Sequence, residues 1–322
     1  MNWIIWRLHR NQVFFAASAL AAMAVLLLLT GTHIASVYEK ALSTCAATHT
    51  CSSVDGQMVQ NYRWLWTLAV LTALVPALFG LFWGAPLVAR EVEEGTHKLI
   101  WTQTAPRRRW LAHNLGWVLL AAAVWGAAMS ALLTWWLGTE NTILLNRFQP
   151  AHFEIQGIVP IAYSVFGVSL GIAAGAWLRR VLPAAAVTLG GYALVRFVIQ
   201  QFVRPHYVAA VTQAVPLVGS GQQIPGRGAL SGASWVLSFG NLVNAAGHPI
   251  RFLSSSVIPT ACRGQFAGSL FGCLSQQGWR NVMTYQPADR FWTFQAIEAG
   301  IFLVLAGILA ALASWRVLAT DA

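Results

Sequence analysis

Val13-Phe14-Phe15-Ala16-Ala17-Ser18-Ala19-Leu20-Ala21-Ala22-Met23-Ala24-Val25-Leu26-Leu27-Leu28-Leu29 opens a stretch, running to Ser36, that holds no Asp, Glu, Lys or Arg. As a helix it reaches ~36 Å at 1.5 Å per residue, enough to cross roughly 30 Å of hydrocarbon and longer than a soluble core helix requires. Nothing like a small-residue cleavage site follows at the right distance, so the stretch reads as a retained span and not as a signal peptide. Five more stretches of spanning length lie at about 64–89, 110–137, 155–178, 181–203 and 291–315. The 322-residue chain therefore reads as an all-α integral membrane protein, a single transmembrane domain (1–322) of six transmembrane helices.

Composition agrees. Hydrophobic residues make up 57% and charged residues 9%, whereas soluble domains carry roughly a quarter charged residues, which argues against a soluble enzyme. The net charge of +10 comes from short basic clusters beside apolar stretches. There they meet membrane lipids with anionic headgroups and set topology; no nucleic-acid motif accompanies them. Sixteen Trp suit interfacial belts.

Counting Lys and Arg in the short connections gives the orientation. Arg7, Arg10, Arg90, Lys98, Arg107, Arg108, Arg109, Arg179, Arg180 and Arg316 fall on one side, and only Lys40, Arg63 and Arg147 on the other. Both termini are expected in the cytoplasm of a multi-pass plasma-membrane protein. The long connection 204–290 has no vote, because long loops translocate largely regardless of charge. Cys45, Cys51, Cys262 and Cys273 all fall in segments this count places outside, where disulfides persist. Three pairings are possible; Cys45 with Cys51 and Cys262 with Cys273 are favoured, each pair being close in sequence within one loop. The spacings match no zinc pattern, so no metal site is expected.

Residues 1–12 mix aromatic, apolar and basic side chains, which fits either an amphipathic helix along the inner headgroup layer or a plain basic flank to the first span. The extracytoplasmic loop 204–290 is rich in Gly, Pro and Ser. Within it Tyr207 to Gly219 is apolar and too short to span, which points to a re-entrant or interfacial helix.

Some chemistry is missing. The lysines are Lys40 and Lys98, and neither stands in a Gly-Lys-Ser/Thr sequence, so the chain has no phosphate-binding loop of that type. If transport is driven by ATP, another polypeptide supplies the ATPase. The eight His show no i, i+4 pair, and Ser254-Ser255-Ser256 lacks the glycines of a nucleophile elbow. Three classes remain: the membrane part of an ATP-driven transporter, an ATPase-independent transporter or channel, and an intramembrane enzyme.

The most informative connection is 90–109, between the second and third spans. Glu91, Glu93 and Glu94 lie on the basic side, followed by the apolar cluster Leu99-Ile100-Trp101 and then Pro106, which stops a helix. Carboxylates facing an anionic leaflet are repelled, which favours a protein partner over lipid. Here Arg90-Glu91-x-Glu93-x-Gly95-Thr96, leading to Trp101-Thr102-Gln103, resembles permease subunits of type-2 ATP-binding-cassette (ABC) exporters in their actinobacterial form. A second match is Tyr285-Gln286-Pro287-Ala288-Asp289-Arg290-Phe291-Trp292 with Gln295 and Glu298, entering the last span. The resemblance implies that 90–109 is a coupling helix seated on the ATPase through Glu91, Glu93, Glu94, Gly95, Thr96, His97, Leu99 and Trp101. It further implies that 1–12 is a connecting helix and that short re-entrant helices lie between spans five and six. The expected partners are two cytosolic ABC ATPase subunits, which bind ATP and Mg, and a second permease copy or close relative. This chain would hold no cofactor.

Within the spans, Gly167, Gly171 and Gly175 share one face and suit close helix packing. Pro76, Pro86 and Pro160 are candidate kinks, and Phe79, Phe82 and Trp83 are candidates either to line a cavity or to face lipid in an aromatic belt. Arg196 and Glu298 lie at matched depth in spans five and six and are expected to form an intramembrane pair, since a lone charge in hydrocarbon is costly.

Overall fold

A computed structural model describes residues 2–48, 63–93, 107–140, 147–217, 234–250, 253–254, 257–265 and 267–319. Six helices in it are long and apolar enough to cross a membrane: Val13–His33, Leu71–Glu93, Leu111–Leu137, Val159–Leu178, Val181–His206 and Ala288–Ala319. These are spans one to six. They occupy the stretches expected from the sequence, and the chain is an all-α integral membrane protein in its spanning part.

Two compact units divide the chain, one of 1–144, 150–202 and 295–322, the other of 145–149 and 203–294. In the first, span one lies within α1 (Asn2–Thr48), one continuous helix. The expected connecting helix 1–12 is therefore not set off from span one by a break. Span two is composite: α2 (Arg63–Phe79), a π-helical turn Gly80–Gly84, and α3 (Ala85–Glu93). Pro76 lies inside α2, and Pro86 follows the π turn at the start of α3. Each proline removes an N–H from the helical ladder, and a wider turn between them is a known answer to such a loss. Span three lies in α4 (Arg107–Glu140), followed by the short α5 (Pro150–Phe153). Span four is α6 (Val159–Leu178) and span five begins as α7 (Val181–Val198), which passes into a second π turn, Ile199–Val203. Pro160 sits in the first turn of α6, where its missing N–H costs nothing, so it starts span four and does not kink it.

Span four is mostly buried, and the glycines explain how. A Cβ added at Gly167 would meet the Pro76 carbonyl oxygen at 2.5 Å, and one at Gly175 the Ala85 carbonyl oxygen at 2.6 Å. At Gly171 it would strike the Gly80 carbonyl oxygen, and at Gly84 the Val168 carbonyl oxygen at 2.5 Å. Spans two and four thus approach backbone to backbone along a seam that admits only glycine at these positions. Spans one and three are tied through indole N–H groups: Trp125 Nε1 donates to the Ala16 carbonyl (3.4 Å) and Trp136 Nε1 to Thr30 Oγ1 (3.2 Å). Large side chains such as Phe15, Phe82, Leu194 and Trp315 point outward, as lipid-facing helices require.

The second unit is built differently. β1 (Val211–Pro216), β2 (Trp235–Val243), β3 (Pro249–Ile250) and β4 (Arg280–Gln286) form an antiparallel sheet in the order β1-β4-β2-β3. In β1–β4 pairing, Val211 faces Tyr285 and Pro216 faces Arg280. The apolar segment Tyr207 to Gly219 therefore contains a strand where a re-entrant helix was expected. Its β-branched residues find their partner strand about 70 positions downstream, a pairing that local pattern does not reveal. A helix, α8 (Ala267–Gln276), packs Leu274 with Leu217, Trp279 and Cys262 in a small core. Cys262 and Cys273 are disulfide-bonded, as the sequence suggested. The other expected pair, Cys45 with Cys51, lies outside the described side chains. Span six continues from this unit as α9 (Phe291–Ala319).

Two outcomes follow. Gly171→Ala is expected to lower the yield of monodisperse protein several-fold and its thermal midpoint by several degrees, whereas Gly300→Ala, with nothing within 4 Å of the added methyl, leaves both unchanged. Size-exclusion profiles and thermal scans in detergent check this. Non-reducing peptide mapping is expected to link Cys262 to Cys273 and tests Cys45 with Cys51 in the same digest.

Candidate functional site

Polar side chains inside an apolar bundle are the places where the sequence departs from what the bilayer asks of it, and in this protein they gather around the start of span four. The segment between α5 and α6 cannot be helical at Gly157, whose φ is +75°. The turn exposes backbone groups, and neighbouring spans satisfy them. Gln295, from span six, accepts the N–H groups of Ile158 and Val159 at 3.0 Å each and donates to the Phe153 carbonyl at 2.9 Å. From span three, Ser130 donates to the Gly157 carbonyl, and Thr134 Oγ1 accepts the Gly157 N–H at 3.1 Å. Side chains of other helices thereby cap the N-terminus of span four, a role its own Ile158 cannot fill.

Glu154 projects from the same turn and forms a salt bridge with Arg196 of span five. The Arg196 and Glu154 side chains are only 10% and 6% exposed, so water screens this pair little. Arg196 also donates from Nη1 to the Ala73 carbonyl of span two at 2.6 Å. Its guanidinium carbon lies 4.8 Å from the Tyr163 ring centre and 5.5 Å from that of Tyr192, a cation–π arrangement. Tyr163 in turn donates its hydroxyl to Glu298 of span six. Phe302 meets the Tyr163 ring edge-on at 4.6 Å and closes the cluster on the span-six side.

The expected Arg196 and Glu298 belong to one cluster: Glu154 forms the salt bridge with Arg196, and Tyr163, whose ring lies under that guanidinium, donates its hydroxyl to Glu298. Glu154, Tyr163 and Tyr192 are the members of this cluster that sequence reasoning missed. Placing the start of span four at 155 left Glu154 one residue outside it, although a buried arginine calls for a carboxylate at its depth. Beside this cluster His152 is buried, and loss of hydration lowers its pKa to about 4.

At the other end of span two, Glu93 accepts the N–H of Val181, the first residue of span five, at 3.0 Å. Glu91 is partly buried, while Glu94, Gly95, Thr96, His97, Leu99 and Trp101 lie outside the described residues. The expected aromatic lining divides. Phe79 packs on Trp83 (4.6 Å) and Trp125 (4.3 Å) between helices, whereas Phe82 faces outward. Among the described residues no three His, Cys, Asp or Glu side chains gather to hold a metal ion.

A family model described as ABC-2 membrane transporter related matches residues 17–204, more than half of the chain. The chain belongs to that family. No curated protein and no solved structure matches it. Membership makes the chain a membrane transport subunit of the ABC type, not itself catalytic, and implies an ABC ATPase subunit as its partner. The match runs from within span one to the end of span five and stops near the start of the 203–294 piece of the second unit, so it includes Glu154, Tyr163, Tyr192 and Arg196 but not Glu298.

Removing one member of a buried ion pair strands the other. Arg196→Met or Glu154→Leu alone is therefore expected to cost about 3–5 kcal/mol, and the double variant less than the larger single effect. Thermal midpoints of the four proteins in detergent test this non-additivity. His152 supplies a pH dependence. Its folded pKa lies below the unfolded value, so the unfolded state binds the extra proton and stability falls as pH drops from about 6.5 to 4. Above that window the contribution is complete. His152→Gln is expected to flatten the midpoint-against-pH curve in this range.

Proposed function

We propose that this chain is one permease half of an ATP-driven ABC exporter. It pairs with a second copy or a close relative and moves a hydrophobic or amphipathic compound, of the drug, lipid or peptide class, outward across the plasma membrane. The observation that supports this most is the family match over spans one to five in a chain that has no Gly-Lys-Ser/Thr phosphate loop of its own. Two cytosolic ATPase subunits bind ATP and Mg, and both termini of the permease lie on their side, as the Lys and Arg count indicates.

In this reading residues 91–104 form the seat of the ATPase. The acidic Glu91 and Glu94 and the apolar Leu99 and Trp101 offer the mixed surface that a protein partner prefers. Closure of the ATPases pushes on that segment, and access alternates between the two permease halves. Energy for a switch of this kind comes from differential contacts in the two states. The apolar composition of the spans accords with a substrate that partitions into the bilayer.

Co-expression with an ABC ATPase lacking spans of its own, encoded beside this chain, tests the proposal. The expected result is a complex with equal numbers of the two chains that hydrolyses ATP, while the permease alone does not. Glu91→Ala with Glu94→Ala is expected to reduce recovery of the ATPase with the permease at least several-fold, without loss of membrane insertion. A permease that transports or conducts with no ATPase present would put the chain in the ATPase-independent class.

A further inference from the structure

Span five begins in an unusual way. Span four ends at Arg179, which has φ 52° and ψ 17° and is the only non-glycine with positive φ among the described residues. Arg180 then stands at the N-cap of span five in an extended conformation and makes no side-chain cap bond. An arginine has only donors to offer, so it cannot satisfy the amide groups that a helix leaves exposed at its start. Glu93 supplies the acceptor from span two, and an anion at that position also complements the helix dipole.

Glu93 also lies near the start of residues 91–104, the segment that the proposed function seats on the ATPase. Its carboxylate is turned sideways into the bundle's own span five. Further along, the same two spans meet twice more. A Cβ on Gly80 would lie 2.9 Å from Thr188 Cγ2, and Arg196 donates to the Ala73 carbonyl at 2.6 Å. From 181 to 196 is 15 residues, or ~22 Å of helix, so the contacts run along most of the span. While that bond holds, the Val181 end of span five is linked to Glu93, and Arg196 links the same span to Glu154 and Tyr163.

We infer that Glu93 is a positioning residue that carries movement of the ATPase-facing segment to span five, and is not itself a contact to the ATPase. The inference rests on the proposed function. Because Glu93 is exposed, its bond adds little to folding, so its variants should insert and assemble. Glu93→Gln keeps an acceptor oxygen for the Val181 amide, and Glu93→Ala does not.

Hydrogen exchange followed by mass spectrometry, on the permease alone and on its complex with the ATPase in nanodiscs, provides the test. In the permease alone, Glu93→Ala is expected to speed exchange of amides 181–184 at least tenfold, and Glu93→Gln to leave it within about threefold of wild type. In the complex, trapping the ATPase with ATP and vanadate is expected to change exchange in both 91–104 and 181–190. With Glu93→Ala the first response persists and the second is lost, with ATP hydrolysis retained and substrate transport per ATP reduced; Glu93→Gln restores the second response. Unchanged exchange at 181–184 in Glu93→Ala, or a 181–190 response that survives it, overturns the assignment while leaving the proposed function in place. Loss of ATPase recovery in Glu93→Ala overturns it too, by making Glu93 a direct contact. Failure of the wild-type permease to form the complex removes the proposed function and this inference together.

Discussion

Spans two and four touch backbone to backbone, and the rest of the transmembrane unit is arranged around that contact. In hydrocarbon, helices gain little by hiding apolar surface from one another, so close van der Waals contact must supply the cohesion. Gly80 and Gly84 on one side and Gly167, Gly171 and Gly175 on the other provide it by removing every Cβ that would hold the helices apart. The π turn over Gly80–Gly84 is the segment of span two laid into this seam. With span four held there, Tyr163 and Phe166 lie among Tyr192 and Phe302 of the adjoining spans.

That placement makes a buried charge tolerable. An arginine within the membrane needs a carboxylate, further acceptors and polarisable neighbours. Arg196 has Glu154, the Ala73 carbonyl and the faces of two tyrosines. Its partners come from span two, span four, span five and the turn before span four, so the pair is also a joint between elements. Gln295 has a comparable role without a net charge, since one side-chain amide satisfies three backbone groups of the turn. Both arrangements put polar groups where a bilayer protein must satisfy them internally.

The unit formed by 145–149 and 203–294 follows other rules. Its sheet, short helix and Cys262–Cys273 bond are those of a small domain in which a covalent staple supplements a core that, among the described residues, is built from Leu217, Cys262, Leu274 and Trp279. Its two pieces come from the connections between spans three and four and between spans five and six. Those connections lie on the same side of any six-span chain. The family match ends at residue 204, near the start of the larger piece of this unit. Specific features of this transporter are therefore to be sought in 205–290 as much as in the bundle.

The sequence by itself determined the six spans, the glycine face of span four, the Cys262–Cys273 pair and the type of transporter. Each is written in a local run or a short spacing: apolar length, Gly at every fourth position, two cysteines eleven apart, and Glu91, Glu93 and Gly95 at the end of a span. Tertiary structure alone decided which helix the glycines meet, that Arg196 takes Glu154 and lies over Tyr163, whose hydroxyl donates to Glu298, and that Glu93 faces Val181. It also decided that Val211–Pro216 is a strand. These all depend on partners 42 to 135 residues distant in the chain. A buried polar group states in the sequence only that it needs a partner; which of several candidates satisfies it is settled by the angle and depth at which packed helices present them.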